Sequence, residues 1–304
     1  MSAAVSIRDL SRRFGDVVAV DSLSLDVKEG ELFGMVGPDG AGKTTTLRML
    51  AGVLRPSSGD ALVFGTSVAR DPEGVKPQLA YMAQRFGLYE DLTVRENIAF
   101  YADLFQVPKA ERPARLERLY HFSNLGPFED RLAGNLSGGM KQKLALSCSL
   151  IHTPRLLLLD EPTFGVDPIS RRDLWLILHE MVAEGVTIIV STSYLDEAER
   201  CDRVALLQDG HVMALDSPAA LQASLKGALL IVRTPDGRRA RERLRTLAGV
   251  RRASLFGETV HVLLEDGSDA DVRAALDEAG IAVSAVERGE PSLEDLFIDL
   301  ADHG

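Results

Sequence analysis

The chain has 304 residues, 45% hydrophobic and 26% charged, an ordinary globular mix that predicts one larger and one smaller domain. Its formal net charge of −11 disfavours nucleic-acid binding unless a local basic patch outweighs the average. No apolar run approaches the ~20 residues that span a bilayer, and residues 1–10 lack the pattern of a secretory signal. Attachment to a membrane is therefore expected only through a partner. The widely separated Cys148 and Cys201 are predicted to be buried, reduced thiols of a cytosolic protein.

Short apolar segments separated by turn residues predict strands in the first part of the chain. Val5 and Ile7 begin one alternation, and residues 17–20 and 23–27 follow as two further strands. The apolar strand 31–36 runs directly into a glycine-rich loop, and residues 44–53 after that loop have helical composition.

The middle of the chain changes to helical patterns and then alternates. Residues 93–131 are predicted to be helical, and a further helix is expected after Ser137-Gly138-Gly139. The segments 155–160 and 186–191 are short and almost entirely apolar, with a predicted helix over 170–183 between them. Strands that are apolar on both faces and joined by helices predict a parallel sheet covered by helices.

From about residue 226 the pattern becomes strand, helix, strand, strand, helix, strand, which is typical of a small ferredoxin-like α+β unit. The first helix of this tail carries five arginines between residues 238 and 245. Nucleic-acid binding and a solvated helix face are both possible interpretations, and neighbouring acids such as Glu242 favour the solvated face.

The glycine-rich loop fits the pattern G-x-x-x-x-G-K-[ST], with a strand before it and a helix after it. Its glycines let backbone N–H groups converge on phosphate oxygens at a helix N-terminus. Lys43 is expected to reach the β- and γ-phosphates of ATP, and the Thr44 hydroxyl to bind Mg²⁺. The residues predicted to contact nucleotide here are Gly37, Pro38, Asp39, Gly40, Ala41, Gly42, Lys43, Thr44 and Thr45.

The buried strand 155–160 ends in two carboxylates. Asp160 is expected to hold Mg²⁺ through water, and Glu161 to act as the general base on the attacking water. Strands often end in acids that only cap the next helix. The phosphate loop upstream favours the catalytic interpretation, because phosphoryl transfer needs both parts.

Ser137, Gly138 and Gly139, the signature segment, predict a second helix N-terminus that can accept an anion. A single site rarely needs two such cradles, so this one is expected to serve the nucleotide of a partner subunit. A serine N-cap followed by flexible glycines is the alternative.

These motifs stand in the order and spacing of ABC ATPases over roughly residues 5–220. The chain most closely resembles the bacterial ABC-2-type drug-exporter branch, particularly the N-terminal half of tandem-ATPase exporter subunits. The resemblance implies a P-loop NTPase fold of ABC type over residues 1–225, with a parallel core sheet, an antiparallel β subdomain and a helical subdomain at about 90–150. Residues 226–304 are then the small C-terminal domain found in that branch. ATP and Mg²⁺ are the implied ligands.

The resemblance also assigns roles to individual residues. Phe14 lies where the family stacks an aromatic ring on adenine, a contact that a flat π-face can make with any base. Gln84 resembles the glutamine that contacts Mg²⁺ and water, and residues 85–91 resemble the groove for a coupling helix of the permease. Asp167 resembles the aspartate that crosses the dimer interface.

Two positions depart from the family. Asp39 replaces the usual asparagine and adds negative charge near a triphosphate. Ser193 stands in place of the histidine that bonds the γ-phosphate, and none of the six histidines lies in residues 191–198. Removing one preorganised donor can lower a rate by ~10²–10³. The chain's own site is therefore expected to be weakened, and pairing with a different ATP-binding domain is favoured over a homodimer.

Three functions remain open from the sequence. The leading hypothesis is an ATP-hydrolysing motor subunit that drives a separate transmembrane permease of an exporter, from the inner face of the cell membrane. The second is an ATP-gated clamp or regulatory module with little hydrolysis, which Glu161 argues against. The third is a non-transport ABC ATPase acting on ribosomes or DNA, which the acidic balance disfavours.

Overall fold

The computed structural model describes residues 3–303, and the chain divides into two units between Ser217 and Pro218. This division precedes the boundary that the sequence predicts after residue 225. The segment between the two boundaries contains the helix Pro218–Ser224, which contacts the C-terminal helix Leu293–His303 and so belongs to the second unit.

The first unit alternates strands and helices after an initial β-hairpin. Its strands are β1 Ala3–Phe14, β2 Val17–Lys28, β3 Leu32–Val36, β4 Ser58–Val63, β5 Thr66–Ser67, β6 Leu79–Met82, β7 Leu156–Asp160, β8 Thr187–Thr192, β9 Arg203–Gln208 and β10 His211–Asp216. Its α-helices are α1 Lys43–Leu50, α2 Pro72–Val75, α3 Val94–Leu104, α4 Arg112–Ser123, α5 Gly138–Leu150, α6 Pro168–Ala183 and α7 Leu195–Ala198. Short 3₁₀ turns cover Lys76–Gln78, Gly126–Phe128 and Ala133–Asn135.

The central sheet has the order β10-β9-β3-β8-β7-β6, and all neighbours except β10 and β9 are parallel. Every residue of β3, β7 and β8 is buried, which explains their nearly continuous apolar sequences. Helices α1, α5 and α6 pack against strands of this sheet. The predicted parallel sheet covered by helices is confirmed.

An antiparallel sheet of order β2-β1-β4-β5 packs on the same core. The sequence predicts two strands where β2 is one, because Asp21-Ser22 has the composition of a turn. The structure instead places an irregularity there: Ser22 has φ +49° and its N–H donates to Ser11 Oγ at 2.8 Å. The strand therefore continues through the turn signal as a bulge.

Helices α3, α4 and α5 form the helical part of the first unit. Thr93 and Glu96 form a capping box at the start of α3, and Ser137 is the N-cap of α5. The predicted helical region 93–131 is interrupted after α3, where Gln106 adopts φ +54°. Pro113 then lies in the first turn of α4, where its missing N–H has no cost.

The second unit has the elements α8 Pro218–Ser224, β11 Ala228–Arg233, α9 Gly237–Leu244, β12 Val250–Phe256, β13 Thr259–Leu264, α10 Asp269–Glu278, β14 Ala285–Arg288 and α11 Leu293–His303. Its sheet is antiparallel with the order β12-β13-β11-β14. An apolar cluster that includes Leu230, Ala240, Val262 and Leu276 joins this sheet to α9 and α10. The predicted ferredoxin-like topology is confirmed.

Across residues 3–303, no helix combines the length and the apolar character needed to cross a membrane. Cys148 and Cys201 are both buried and form no disulfide, and burial raises the pKa of each thiol. Both thiols are therefore poor nucleophiles.

Candidate active site

Four adjacent parallel strands end at one edge of the central sheet, and each leads into a predicted site residue. The glycine-rich loop follows β3, and Ser193 follows β8. Asp160 ends β7, and Gln84 comes two residues after β6. Open α/β sheets bind ligands at the carboxyl ends of their strands, so the topology alone brings these segments together.

The glycine-rich loop is packed so closely that side chains are excluded from two of its positions. A Cβ on Gly37 would lie 2.2 Å from Leu207 O, and a Cβ on Gly42 would lie 2.5 Å from Ala19 O, at a residue with φ +96°. Gly42 is the N-cap of α1 and has no side chain to accept from the first-turn N–H groups. Those donors are left to an anion, which the helix dipole also favours. The loop fits a phosphate group.

The charged end of the Lys43 side chain lies among polar groups of the other segments at this edge of the sheet. The side chain is 4% exposed, and its Nζ lies 2.6 Å from Gly37 O, 3.0 Å from Pro38 O and 3.0 Å from Ser193 Oγ. Glu161 Oε1 is 3.4 Å away and balances the charge. The ammonium is thus held among oxygen acceptors that phosphate oxygens can replace.

Asp160 is buried and accepts three hydroxyl hydrogen bonds. Thr44 Oγ1 donates at 2.8 Å, Ser191 Oγ at 2.9 Å and Tyr81 Oη at 3.1 Å. Burial and the nearby Asp160 raise the pKa of Tyr81 to about 12, so its hydroxyl remains a donor at neutral pH. Thr44 and Asp160 together present only oxygen ligands, which suits Mg²⁺ bound through one carboxylate, waters and substrate phosphates.

Glu161 is fixed from three directions. Its Oε2 accepts from Gln84 Nε2 at 2.9 Å, and its Oε1 accepts from Ser193 Oγ at 2.9 Å. Its backbone N–H donates to Ser191 Oγ at 3.0 Å, and its φ of +48° is rare for a residue with a side chain. Such backbone strain is found at sites where a side chain must be aimed.

A cavity of about 320 Å³ lies over this cluster, and the acidic side chain of Asp39 is on its exposed wall. Phe14 is not among the residues that line the cavity, but it is the cross-strand partner of Val17, which is. Phe14 is 47% exposed, and the Arg12 guanidinium lies 4.5 Å from its ring centroid. The lining residues are Val17, Val18, Ala19, Asp39, Gly40, Ala41, Gly42, Lys43, Thr44, Thr45, Gln84 and Glu161.

The signature segment and Asp167 also lie outside that lining and next to each other. Ser137 Oγ accepts from Met140 N at 3.3 Å, while Ser137 and Gly138 are exposed. Asp167 is the N-cap of α6, and hydrogen bonds led by the backbone N–H of Ser170 lower the pKa of its carboxyl. The signature segment therefore does not contribute to its own chain's cavity.

Comparison with known proteins agrees with this geometry. The family model described as ABC transporter matches residues 20–164. The chain is 35% identical over 307 residues to the "Daunorubicin/doxorubicin resistance ATP-binding protein DrrA" of Streptomyces peucetius, covering 99% of this chain and 93% of that protein. The chain belongs to the ABC transporter family of ATP-binding proteins.

Two further similarities show how much of this ABC ATP-binding chain, and of its relatives, the matches cover. It is 44% identical over 303 residues to the "Probable multidrug ABC transporter ATP-binding protein YbhF" of Escherichia coli K12, which covers 98% of this chain but 52% of YbhF. The chain thus spans about half the length of that relative. A solved "ATP binding subunit of ABC transporter" matches with a TM-score of 0.65 and 31% identity, over 72% of this chain and 92% of that one.

A second group of residues supports the site, and sequence reasoning missed it. Glu197 is 0% exposed; its Oε2 accepts from Thr192 Oγ1 at 2.7 Å, and its Oε1 lies 3.4 Å from Arg171 Nε on α6. The Arg171 guanidinium also lies 4.4 Å from the ring centroid of Tyr194. These contacts hold the segment on both sides of Ser193. In the sequence, Glu197 is one of several acids and nothing distinguishes it from its exposed neighbours.

Glu197→Gln should loosen this segment. The amide can still accept from Thr192, but the ion pair with Arg171 is lost at a buried position. We expect a loss of about 1–3 kcal/mol in unfolding free energy, measured by urea titration, with a several-fold lower ATP turnover. Asp196→Asn removes one charge from the adjacent exposed position and should change neither value. Equal effects of the two variants would contradict a positioning role for Glu197.

Gly139→Ala should destabilise the ABC ATP-binding unit through a steric clash. A Cβ at this position would lie 2.2 Å from Ser170 Oγ and 2.3 Å from Ser170 Cβ. Overpacking of this kind costs about 1–3 kcal/mol, which urea unfolding should detect. Gly138→Ala is the matched control, since its nearest neighbour would be Gly165 O at 3.8 Å. In a Ser170→Gly background, which lacks both clashing atoms, Gly139→Ala should cost much less stability, and an unchanged cost would point to another cause.

Proposed function

We propose that this chain is the ATP-hydrolysing motor subunit of an ABC exporter and drives a separate membrane permease. The observation that carries the proposal is the hydrogen-bonded cluster at the strand ends, in which Lys43, Thr44, Asp160, Glu161 and Gln84 are joined within one edge of the sheet. A phosphate cradle, an oxygen donor set for a divalent cation and a carboxylate base are the parts that phosphoryl transfer to water requires.

The residues divide the chemistry between them. The first-turn N–H groups of α1 and Lys43 bind the β- and γ-phosphates of ATP, with Lys43 exchanging Gly37 O and Pro38 O for phosphate oxygens. Thr44, Asp160 and Gln84 hold Mg²⁺, which supplies charge neutralisation on the phosphates when bound. Glu161 orients the attacking water and accepts its proton.

Ser193 limits the rate of this chain's own site. Its hydroxyl donates to Glu161 and accepts from Lys43, so both of its interactions lie inside the cluster. A serine side chain is also shorter than the histidine that the family has at this place, and it offers the γ-phosphate no comparable donor. Loss of one such donor corresponds to ~10²–10³ in rate.

The position of the signature segment supports pairing with a second ATP-binding domain. Ser137 and Gly138 are exposed and lie outside the lining of their own cavity. They are available to complete the nucleotide site of a partner, with Asp167 beside them at the interface. Because this chain's site carries Ser193, a different domain with a stronger phosphate-loop site is the favoured partner.

An exposed aromatic surface supports the permease as a partner. Tyr89 and Phe100 are exposed with ring centroids 4.6 Å apart, and Phe86 lies 5.2 Å from Tyr101. A coupling helix of the permease docks against this surface, which places the chain peripherally on the cytoplasmic face of the membrane. We propose export rather than import because DrrA is named as a drug-resistance protein, and resistance is achieved when a transporter moves the drug out of the cell.

ATP turnover by the purified full chain tests the slow-site part of the proposal. We expect slow turnover by the chain alone, and an increase when the co-purifying permease and second ATP-binding domain are supplied. Rapid turnover by the chain alone, unchanged by Ser193→Ala, would contradict the slow site. Recovery of the chain from membranes only as a homodimer would contradict hetero-pairing.

An ATP-gated clamp is the second candidate, and Ser193 is the observation that favours it. A clamp binds ATP and closes without needing a general base, so it would not require Glu161. The two candidates separate in a transport assay of the whole complex. Transport that is unchanged by Glu161→Gln supports the clamp, whereas a loss of transport supports the motor.

A further inference from the structure

The arginines of α9 fall into two groups that the structure treats differently. Arg239 Nη1 pairs with Asp236 Oδ2 at 3.0 Å, and Arg243 Nη2 pairs with Glu278 Oε2 at 3.4 Å. Arg238, Arg241 and Arg245 recur at spacings of three and four and so share the opposite face of the helix. These three have no ion pair with any residue that the structure describes. The α9 arginines therefore do not form a single solvated face: one group is paired with acids and the other is not.

A cavity of about 270 Å³ lies between this face and the edge strand β12, and it is strongly basic. Its charged lining consists of Arg241, Arg245 and Arg252, with no carboxylate among the lining residues that the structure describes. Ser254 contributes a hydroxyl, and Ala253 and Leu255 complete the wall. In a chain with net charge −11, three guanidinium groups around one small cavity are a marked local exception.

Two of the arginines are built into the wall. Arg252 is 8% exposed, and its Nη2 donates to Asp295 O at 2.7 Å. Asp299, 3.8 Å from Arg252 Nη1, also pairs with Arg251 at 2.9 Å, so its charge is shared. Arg241 Nε is buried and has no hydrogen-bond acceptor in the described part of the chain. A buried donor without an acceptor is unfavourable, so turning the Arg241 guanidinium toward an anion in the cavity would be favoured.

We propose that this cavity binds a phosphate group. The planar guanidinium forks of Arg241 and Arg245 match the oxygens of phosphate, and the volume suits one such group rather than an extended polymer. The neighbouring larger cavity contains Arg233 and Arg238 but also the carboxylate of Glu258, so it is the poorer anion site. The group is carried either by a phospholipid or by a free phosphate compound. This proposal concerns the second unit and stands independently of the ATPase function.

Binding of the full chain to vesicles tests whether the phosphate group belongs to a phospholipid. Flotation with phosphatidylcholine vesicles that contain phosphatidylglycerol is compared with flotation on pure phosphatidylcholine. We expect Arg241→Gln/Arg245→Gln to weaken binding to the anionic vesicles by ~30-fold for two lost arginines. Arg239→Gln/Arg243→Gln removes the same charge from the paired face of α9 and should have a much smaller effect.

Calorimetric titration with pyrophosphate tests whether the ligand is a free phosphate compound. The titration uses the full chain carrying Lys43→Ala, so that the phosphate loop does not contribute. We expect Arg241→Gln/Arg245→Gln to weaken binding by ~10-fold or more if the ligand is a free phosphate. Weaker binding of Arg241→Gln/Arg245→Gln in either assay supports the site. The assay in which it occurs shows whether the phosphate group belongs to a phospholipid or to a free phosphate compound. Equal losses in the two double variants, or no binding of either probe, would overturn the proposal, provided thermal unfolding shows every variant folded.

Discussion

Glu161→Gln should lower ATP turnover by at least ~10²-fold while leaving ATP binding intact. Of the two carboxylates in the cluster, Glu161 lines the cavity and Asp160 does not. Glu161 can therefore accept a proton from the attacking water, and it is held at both oxygens by Gln84 and Ser193. Glutamine has nearly the same shape but cannot take the proton. Its amide also cannot accept from both neighbours, and the ion pair with Lys43 is lost. Single-turnover hydrolysis and nucleotide binding, measured separately on the full chain, check both parts.

Glu73→Gln is the matched control for this substitution. Glu73 is on the short helix α2, where it forms an exposed ion pair with Lys76, and it does not line the cavity. Turnover should be unchanged in this variant, since exposed pairs contribute little. A Glu161→Gln protein that hydrolyses ATP as fast as the unmodified chain would exclude Glu161 as the base and with it the motor mechanism.

The strand ends of the site could be predicted from the sequence because each motif is local. The glycine-rich loop and the Asp160-Glu161 pair each follow a fully buried strand, and buried strands have recognisable apolar runs. Parallel pairing then places their ends at one edge without further information. The ferredoxin-like order of the second unit could be predicted for the same reason, since each of its elements has a clear period.

The interactions between distant segments could not be predicted in this way. The close approach of Gly139 to Ser170 and the burial of Glu197 under Arg171 depend on how α5, α6 and α7 pack, which no local period encodes. The same holds for the arginines of α9. Composition shows five of them, but only the folded structure shows that Arg239 and Arg243 form ion pairs while Arg241 and Arg245 line the cavity beside β12.

Ser193→His should raise the ATP turnover of the chain by up to ~10²-fold, the inverse of losing one preorganised donor. Position 193 is exposed and directly follows the rigid strand β8, and the segment around it is held by Thr192, Glu197 and Arg171. An imidazole there extends past the oxygen of Glu161 that serine now contacts and can donate to the γ-phosphate. The turnover of the purified full chain at saturating ATP is the measurement.

The controls for Ser193→His separate a placed donor from an added imidazole. Asp196→His puts the same group at an exposed position on α7 and should not change turnover. Combining Ser193→His with Glu161→Gln should remove the gain, because the histidine positions the γ-phosphate and the water but does not replace the base. If Ser193→His leaves turnover unchanged while Glu161→Gln abolishes it, the slow step does not depend on a donor from residue 193 to the γ-phosphate. The argument from Ser193 for pairing with a different domain would then fail, although the assignment of Glu161 would stand.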